Sequence, residues 1–281
     1  MSQQPSPSST TRLLAVFAHP DDEAFSSAGT FAALSDQGVA ITLICATRGE
    51  AGEISDPALA SSETLGAVRE AELRAAMREV GVSDVRLLGF RDSGMVGTKE
   101  NDDPRAFVNA DVGRVAADVV RAIDELAPAA VVSFGPDGIY GHPDHLMAHR
   151  VVLEASRSMA ASGRARIPAL YFVAVSRERL QERAKSDSGA FAGMTQEQLD
   201  RLGTPSAEFT TTIRVADQFD RKWAAMMAHR TQMGEKGPFE GMPREQIREF
   251  LGQEGYVRQA IGGAPKGSGL LDTLAVTSAS G

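Results

Sequence analysis

Residues 13–23 read LLAVFAHPDDE, so an uninterrupted apolar run passes directly into a histidine and three acidic residues. The apolar run, Leu13–Ala18, predicts a buried strand, and the amphipathic pattern of residues 23–36 predicts a helix that ends before Gly38. A strand that gives way at once to a helix, with polar side chains at the junction, is typical of a sheet covered by helices.

The same alternation continues along the chain. Apolar runs predict further strands over Val39–Ala46, Val85–Phe90, Ala129–Phe134 and Ala169–Val175. Helices are predicted between these strands, over residues 63–80, 108–126 and 145–160. Because fully apolar strands separated by helices form parallel sheets, we predict an α/β fold with a mostly parallel sheet and helices on both faces. Active sites in such folds lie at the carboxyl ends of strands.

The chain is predicted to form one domain over residues 12–261. Residues 1–11 are rich in Ser, Pro and Gln and are expected to be disordered, and residues 262–281 are expected to form a flexible or extended tail. Two polar segments, 47–61 and 91–107, are predicted to be long loops. Loops of this length in a compact domain are usually functional.

Composition excludes several classes of protein. The formal net charge of −8 argues against a nucleic-acid partner and against docking on an anionic membrane. The sequence has neither a signal-peptide pattern nor an apolar stretch near the roughly 20 residues that span a bilayer, so a cytoplasmic location is expected. The single cysteine, Cys45, lies in an apolar run and is expected to be a buried, inert thiol.

The first candidate site is the junction that follows the first strand. His19 and Asp22 are three residues apart, so both side chains can converge on one ion across a tight turn, with Asp21 close by. Adjacent carboxylates repel one another unless a cation is present. A helix N-terminus would account for the acidic residues alone, because they favour that position, but it would not account for His19-Pro20.

The second candidate site, GPDGIYGHPDH at residues 135–145, also joins a predicted strand to a predicted helix. His145 is the natural third ligand, and two histidines with one carboxylate leave a coordination position open, as catalytic metal sites do. His149 lies one helical turn later and is an alternative ligand, although a structural or solvent-facing role is favoured. Zinc hydrolases and Fe²⁺ oxygenases both use such a triad, and the strand–helix pattern favours zinc.

The motif AHPDDE, followed about 120 residues later by HPDH, is similar to motifs of the LmbE-like (PIG-L) N-acetylglucosaminyl deacetylase family. The resemblance covers residues 12–177 and, more loosely, residues 223–232. The string RDSGM at residues 91–95 resembles the mycothiol branch among the mycothiol- and bacillithiol-pathway deacetylases. The resemblance implies a Rossmann-like sheet and zinc-dependent removal of the N-acetyl group from a glucosamine conjugate, a small-molecule substrate.

The resemblance also implies roles for individual residues. His19, Asp22 and His145 would bind Zn²⁺, with Fe²⁺ as an alternative ion at the same ligands. Asp21 would be the general base, His142 would assist as an acid or as an electrostatic stabiliser, and Tyr140 would help to bind the developing oxyanion. From the residues themselves, we expect Asp144 to hold the His142 ring and to favour its protonated form.

Two further residues, Arg69 and Asp92, match positions that contact the sugar in this family. Arg69 has a simpler interpretation, since it could pair with Glu70 or Glu72 on a helix face. Asp92 could be a turn-forming residue of its polar loop. The later string His229-Arg230-Thr231-Gln232 is assigned no more than a supporting role, and Met226 and Met227 before it are expected in the core.

Three alternatives to a sugar deacetylase remain open. One is an amidase of the same fold that cleaves a larger thiol-conjugate or antibiotic amide. Another is a nucleotide-binding module, which the lack of a G-x-G-x-x-G motif after the first strand disfavours. The third is a non-catalytic protein stabilised by metal, which predicts four protein ligands. Homo-oligomerisation is compatible with the sequence.

Overall fold

The structure is a computed structural model. It describes residues 11–164, 168–184, 195–200, 202–233, 239, 241–260 and 269–273. The predicted disordered segment 1–11 lies outside these residues except for Thr11.

A mostly parallel sheet runs through the described part of the chain. Its strands are β1 (Arg12–Phe17), β2 (Ala40–Cys45), β3 (Asp84–Leu87), β4 (Ala130–Phe134), β5 (Ala169–Ala174), β6 (Thr211–Arg214) and β7 (Gln253–Gln259). They lie in the order β3-β2-β1-β4-β5-β7-β6, with the first five parallel and the last two antiparallel. The predicted fold class is therefore confirmed, and the sequence interpretation missed the two antiparallel strands at one edge.

Helices cover both faces of this sheet. The longer ones are α2 (Ala28–Asp36), α3 (Leu65–Glu79), α4 (Val112–Leu126), α6 (Pro143–Ala161) and α9 (Phe219–Ala228). The shorter ones are α1 (Asp22–Ser26), α5 (Gly138–Gly141), α7 (Arg177–Ala184), α8 (Gln196–Asp200), α10 (Arg230–Met233) and α11 (Arg244–Leu251). The helices α2 and α3 pack against α9, while α4 packs against α6. The right-handed crossovers of a doubly wound sheet place these two groups on opposite faces. Within the described residues, no helix is both long and apolar enough to span a bilayer.

The predicted helix 23–36 is interrupted at Ser27, and a buried ion pair explains the break. Glu254 on β7 accepts hydrogen bonds from the backbone N–H groups of Gly29 and Thr30 at the start of α2. Lys222 on α9 donates to Glu254 at 2.6 Å and to the carbonyl of Phe25 at 3.0 Å. A carboxylate at free N–H groups stabilises a new helix start, so one predicted helix becomes two.

Part of the predicted tail belongs to the domain. Leu271 is fully buried, and the Asp272 carboxylate accepts hydrogen bonds from Tyr171 on β5 and Thr211 on β6. The prediction of a flexible or extended tail is therefore wrong for residues 269–273. The rest of 262–281 lies outside the described residues. The expectations for Cys45 and Met226 are confirmed, since both are buried, whereas Met227 is 39% exposed.

Candidate metal centre

The two candidate sites of the sequence meet at one place in the fold. The strand order reverses between β1 and β4, and ligands bind at such switch points in open α/β sheets. Residues 18–23 follow β1, and residues 135–145 follow β4, so both junctions lie at the carboxyl ends of these neighbouring strands. The predicted loop 47–61 follows β2, and the loop 91–107 follows β3, which places both near the same edge.

His19 has its two ring nitrogens committed to different tasks. Nε2 lies 3.1 Å from Asp144 Oδ2 and 3.5 Å from Asp92 Oδ1. A carboxylate accepts hydrogen bonds, so the proton belongs on Nε2, and Nδ1 presents a lone pair to Asp22 and His145. Burial lowers the pKa of His19, but the bonds to Asp144 and Asp92 raise it well above its ordinary value. The same negative charge would favour a divalent cation.

His145 is fixed in the complementary tautomer. Its Nδ1 lies 3.1 Å from the carbonyl oxygen of Gly138, which can only accept, so Nε2 carries the lone pair. The ring stacks on Phe134 with a centroid distance of 3.9 Å and an interplanar angle of 6°. His145 is only 1% exposed. Position, tautomer and orientation therefore all aim Nε2 at the side chains that follow β1.

Asp22 completes a triangle of ligand atoms. Its Oδ1 lies 3.1 Å from His145 Nε2, its Oδ2 lies 3.6 Å from His19 Nδ1, and the two ring nitrogens are 3.3 Å apart. Zinc ligands at 2.0–2.2 Å in tetrahedral geometry are separated by about 3.3–3.6 Å. The two ring nitrogens thus have the spacing that tetrahedral zinc requires, each lies near one oxygen of the Asp22 carboxylate, and nitrogen and carboxylate donors suit zinc. Fe²⁺ accepts the same donor set.

Two other groups of side chains also bring potential ligand atoms within 4.8 Å of one another, His19 with His142 and His145, and His19 with Asp92 and Asp144. The second would use His19 Nε2, which is already hydrogen-bonded. In the first, His142 Nδ1 accepts the backbone N–H of Asp144 at 3.2 Å, which leaves the proton on Nε2. A protonated nitrogen cannot ligate, so we prefer the set with Asp22.

Asp21 lies beside this triangle with a perturbed carboxylate. Burial and, next, repulsion by the Asp22 carboxylate raise the pKa of Asp21 to about 7, although a cation held by the neighbouring ligands would oppose this rise. Gln232 donates to Asp21 Oδ2 at 2.6 Å. A carboxyl group whose pKa lies near neutrality can accept a proton from water and later return it.

His142 and Tyr140 lie on the other side of the triangle. Burial and the neighbouring rings of His19 and His145 lower the pKa of His142 to about 4, so its ring is neutral near pH 7 and donates from Nε2. The Tyr140 ring lies 5.0 Å from that of His145 and 6.1 Å from that of His142, and it is 47% exposed. A phenol is protonated at neutral pH. Both side chains can therefore donate to an anionic oxygen.

The structure corrects the expectation for Asp144. Its carboxylate contacts His19 Nε2 and accepts the backbone N–H and the hydroxyl of Ser93. Only its backbone N–H meets His142. Asp144 therefore supports His19 and does not hold the His142 ring, and the lowered pKa of His142 disagrees with a protonated form. A carboxylate that accepts from a ligating imidazole fixes the ring and its tautomer.

Arg69 and Asp92 connect the two loops to the site. Arg69 Nη1 donates to the carbonyl of Gly49 at 2.8 Å, and Nη2 donates to that of Glu53 at 2.9 Å. A Cβ at residue 52 would lie 2.2 Å from Arg69 Nη1, so Gly52 lets the loop wrap the guanidinium. Asp92 Oδ1 accepts a hydrogen bond from the N–H of Gly94, so Asp92 forms the turn that its polar loop predicts. The same oxygen lies 3.5 Å from His19 Nε2.

The simpler interpretation of Arg69 is not what the structure contains. Among the described residues, Glu70 pairs with Arg48 and Arg74, and Glu72 accepts from Thr231. The sugar-binding roles of Arg69 and Asp92 stay predictions.

The remaining polar residues around the site differ in how far the sequence predicted them. His149 Nδ1 meets the carbonyl of Phe134 at 3.0 Å, in keeping with a structural role. His229 is fully buried against Glu23, with Nε2 and Oε1 2.7 Å apart. Ser93 was overlooked although it lies in the RDSGM string next to Asp92, and that neighbourhood was the one available hint.

Comparisons with known proteins agree with this site. The chain matches the model of the GlcNAc-PI de-N-acetylase (PIG-L) family over residues 14–156. It is similar to the 1D-myo-inositol 2-acetamido-2-deoxy-alpha-D-glucopyranoside deacetylase of Acidothermus cellulolyticus, with 39% identity over 271 residues. That alignment covers 92% of this chain and 91% of the relative.

Solved structures share the fold at low sequence identity. N,N'-diacetylchitobiose deacetylase from Pyrococcus horikoshii matches with a TM-score of 0.59 and 19% identity over 89% of this chain and 84% of its own. The 4-carboxy-2-hydroxymuconate hydratase from Pseudomonas putida matches with a TM-score of 0.56 and 18% identity over 92% of this chain and 98% of its own. Because a hydratase shares the fold, the fold does not decide the reaction, and the argument for function depends on the site.

Proposed function

The chain belongs to the PIG-L family of GlcNAc-PI de-N-acetylases, and from that premise we propose that it is a zinc-dependent deacetylase of an N-acetylglucosamine conjugate. In the proposed reaction, water adds to the acetyl carbon, the C–N bond breaks, and acetate and a primary amine are released. The observation that carries the proposal is the convergence of His19, His145 and Asp22. The ring nitrogens His19 Nδ1 and His145 Nε2 lie 3.3 Å apart, a separation that suits a tetrahedral zinc, and each lies within 3.6 Å of one oxygen of the Asp22 carboxylate.

Zinc held by these three side chains would lower the pKa of water from 15.7 to about 7 and polarise the acetyl carbonyl. Asp21 is the proposed general base, and its position beside Asp22 supports this role. Its carboxylate takes one proton from the attacking water and returns it to the nitrogen of the leaving amine.

The proposed oxyanion donors are His142 and Tyr140. The neutral His142 ring donates from Nε2 because Nδ1 accepts the N–H of Asp144. Its lowered pKa supports electrostatic stabilisation by a neutral donor over proton transfer from an imidazolium. Each such donor typically contributes about 10²–10³ in rate, because it is aimed at charge that develops only in the transition state.

The proposed substrate is a small amino-sugar conjugate, and inositol is the first aglycone to test. A relative that acts on an inositol-linked N-acetylglucosamine, by its name, is 39% identical over most of this chain. Arg69 and Asp92 are the proposed sugar contacts. Arg69 on α3 holds loop 47–61 and Asp92 lies in loop 91–107, and the position of both loops around the site supports this. A cytoplasmic location stays a prediction of the sequence.

The test is an amine-release assay with the full-length, zinc-loaded protein. N-acetylglucosaminyl-inositol, N-acetylglucosaminyl-malate and free N-acetylglucosamine are incubated with and without a chelator. We expect the fastest release from the inositol conjugate, loss of release with the chelator, and recovery when zinc is added back. The Asp21→Asn variant, which keeps the three ligands, is the control for contaminating activity.

A protein that binds one equivalent of zinc but releases amine from none of the three compounds would contradict this proposal. The same assay on larger thiol-conjugate and antibiotic amides would then test the amidase alternative. Activity that persists in the chelator would contradict zinc dependence.

A further inference from the structure

Asp21 has a backbone conformation that its own chemistry disfavours. Its φ is 119° and its ψ is −29°, in the region where a Cβ clashes with the backbone. Such a conformation is strained and persists only where surrounding contacts impose it. The contacts that impose it here come from a segment more than 200 residues away in the sequence, residues 229–232.

Gln232 holds Asp21 directly. Its side-chain amide nitrogen donates to the carbonyl of Pro20 at 3.0 Å and to Asp21 Oδ2 at 2.6 Å. One amide group thus binds both the Pro20 carbonyl, just before the strained residue, and the Asp21 carboxylate. Because the amide NH₂ has two hydrogens, it can make both bonds at once.

Glu23 and His229 hold the backbone of Asp21 from the other side. The N–H of Asp21 donates to Glu23 Oε2 at 3.0 Å. The other oxygen of Glu23 meets His229 Nε2 at 2.7 Å, and both side chains are fully buried. Gln232 therefore fixes the carboxylate of Asp21 directly, and His229 fixes its amide through Glu23.

The segment 229–232 is itself anchored to other elements. Thr231 donates from its backbone N–H and from its hydroxyl to the two oxygens of Glu72 on α3, at 2.8 and 2.7 Å. Ser55 in loop 47–61 donates from its backbone to the Thr231 carbonyl and from its hydroxyl to that of Arg230. A buried carboxylate with two donors is a rigid support, so the segment cannot shift without breaking several bonds.

We propose that residues 229–232 position the general base, and that Gln232 is the positioning residue that aims the Asp21 carboxylate. This inference rests on the proposed function, because it assumes that Asp21 takes the proton from water. Gln232 acts only through Asp21, and it contacts none of the three proposed ligands. The bond of 2.6 Å leaves the second oxygen, Oδ1, as the acceptor for that proton.

The first test is Gln232→Met, which keeps the length of the side chain and removes both donors. We expect a fall in kcat of about 10- to 100-fold, since misplacement of a catalytic group by about 1 Å costs that much. The KM and the bound zinc should stay close to the wild-type values. Gln37→Met, the same change at the exposed end of α2, is the matched control and should change none of the three.

A double-mutant cycle separates positioning from general support of the fold. In an Asp21→Ala background, Gln232→Met should lower kcat by less than about twofold, because its effect passes through Asp21. If the double variant lost kcat by the product of the two single losses, the two residues would act independently and the proposal would be overturned. A Gln232→Met variant with the kcat of the wild type would overturn it as well. Gln232→Glu keeps the shape and replaces the donors with a carboxylate, so it should lose at least as much kcat, and it serves if the methionine variant does not fold.

The crystal structure of the variant supplies a measurement that does not need activity. In Gln232→Met we expect the Asp21 carboxylate to rotate away from its wild-type position or its φ to relax. An unmoved Asp21 would overturn the inference even if the protein is active. If the wild-type protein deacetylates nothing, the proposed function fails, whereas the position of Asp21 still decides whether Gln232 fixes it.

Discussion

The chain carries the tripeptide His-Pro-Asp twice, at residues 19–21 and 142–144, and the two copies place their side chains differently. The first copy lies before α1, which begins at Asp22. The second overlaps α6, which begins at Pro143, so His142 is the N-cap and accepts the N–H of Asp144. Identical residues therefore receive different tasks because the helix starts two residues earlier in the second copy.

The two copies also support each other. Asp144 of the second copy contacts His19 of the first, while the equivalent aspartate of the first, Asp21, stays beside the site and is held by Gln232. In the proposed mechanism, the first copy thus supplies a metal ligand and a proton acceptor, and the second supplies a neutral donor and a support. Substituting one residue of either copy at a time tests these different roles.

The largest expected effect is that of Asp21→Asn. An amide cannot take a proton from water, so kcat should fall by about 10²–10⁴. Zinc affinity should change little, because Asp21 is not one of the proposed ligands. Steady-state kinetics and metal analysis measure the two quantities, with Asp217→Asn on the exposed surface as the matched control. Loss of zinc together with activity would assign Asp21 to the metal and break the comparison.

His142→Ala should lower kcat by about 10²–10³, because one oxyanion donor is lost. It also removes an N-cap, which should cost about 0.5–2 kcal/mol of stability. Asp111→Ala separates the two effects. Asp111 caps α4 through the N–H of Arg114 at 2.7 Å, far from any proposed catalytic group, so that variant should lose stability only. If His142→Ala and Asp111→Ala had the same kcat, His142 would have a structural role and no role in the reaction.

Asp144→Asn should weaken zinc binding by about 10- to 100-fold, because the carboxylate that supports His19 Nε2 is replaced by an amide. Competition with a chromophoric chelator measures this affinity. The comparison predicts opposite patterns in the two aspartates, with lost affinity at Asp144 and lost kcat at Asp21. A variant of Asp144 that binds zinc as tightly as the wild type would contradict its role as a support.

The sequence predicted the parts of the site that depend on local spacing. His19 and Asp22 follow β1 directly, His145 lies in the first turn of the helix α6 that comes after β4, and the strand order brings the carboxyl ends of β1 and β4 together. Any sheet of this class gathers such residues, so their convergence could be inferred without coordinates. The parallel strands were predicted for a similar reason, since continuous apolar runs identify them.

The parts that the sequence did not predict depend on contacts between distant segments. Asp144 was assigned to its neighbour His142, but the rotation of α6 turns its carboxylate toward His19, 125 residues away. Gln232 lies in a string that was given only a supporting role, Glu254 lies in a segment without a local signal, and the partners of both are near the N-terminus. A polar residue of that kind is recognised only once the fold shows what it faces.

The smallest expected effect is a change in stability that tests for backbone strain in the two junctions, residues 18–23 after β1 and residues 135–145 after β4. Each junction holds one non-glycine residue at positive φ, Asp21 at 119° and Ile139 at 65°. Glycine has no Cβ, so at both positions the glycine variant should be more stable than the alanine variant by about 1–2 kcal/mol. At Arg121 in the middle of α4 the order should reverse, with the glycine variant about 1 kcal/mol less stable than the alanine variant.

Urea unfolding of the zinc-free proteins measures the stability of all three pairs of variants. Because each comparison is between glycine and alanine at one site, the lost side chain cancels to first order, and only the backbone preference remains. An alanine variant at Asp21 as stable as the glycine variant would show that the conformation carries no strain, and residues 229–232 would then have nothing to hold in place there.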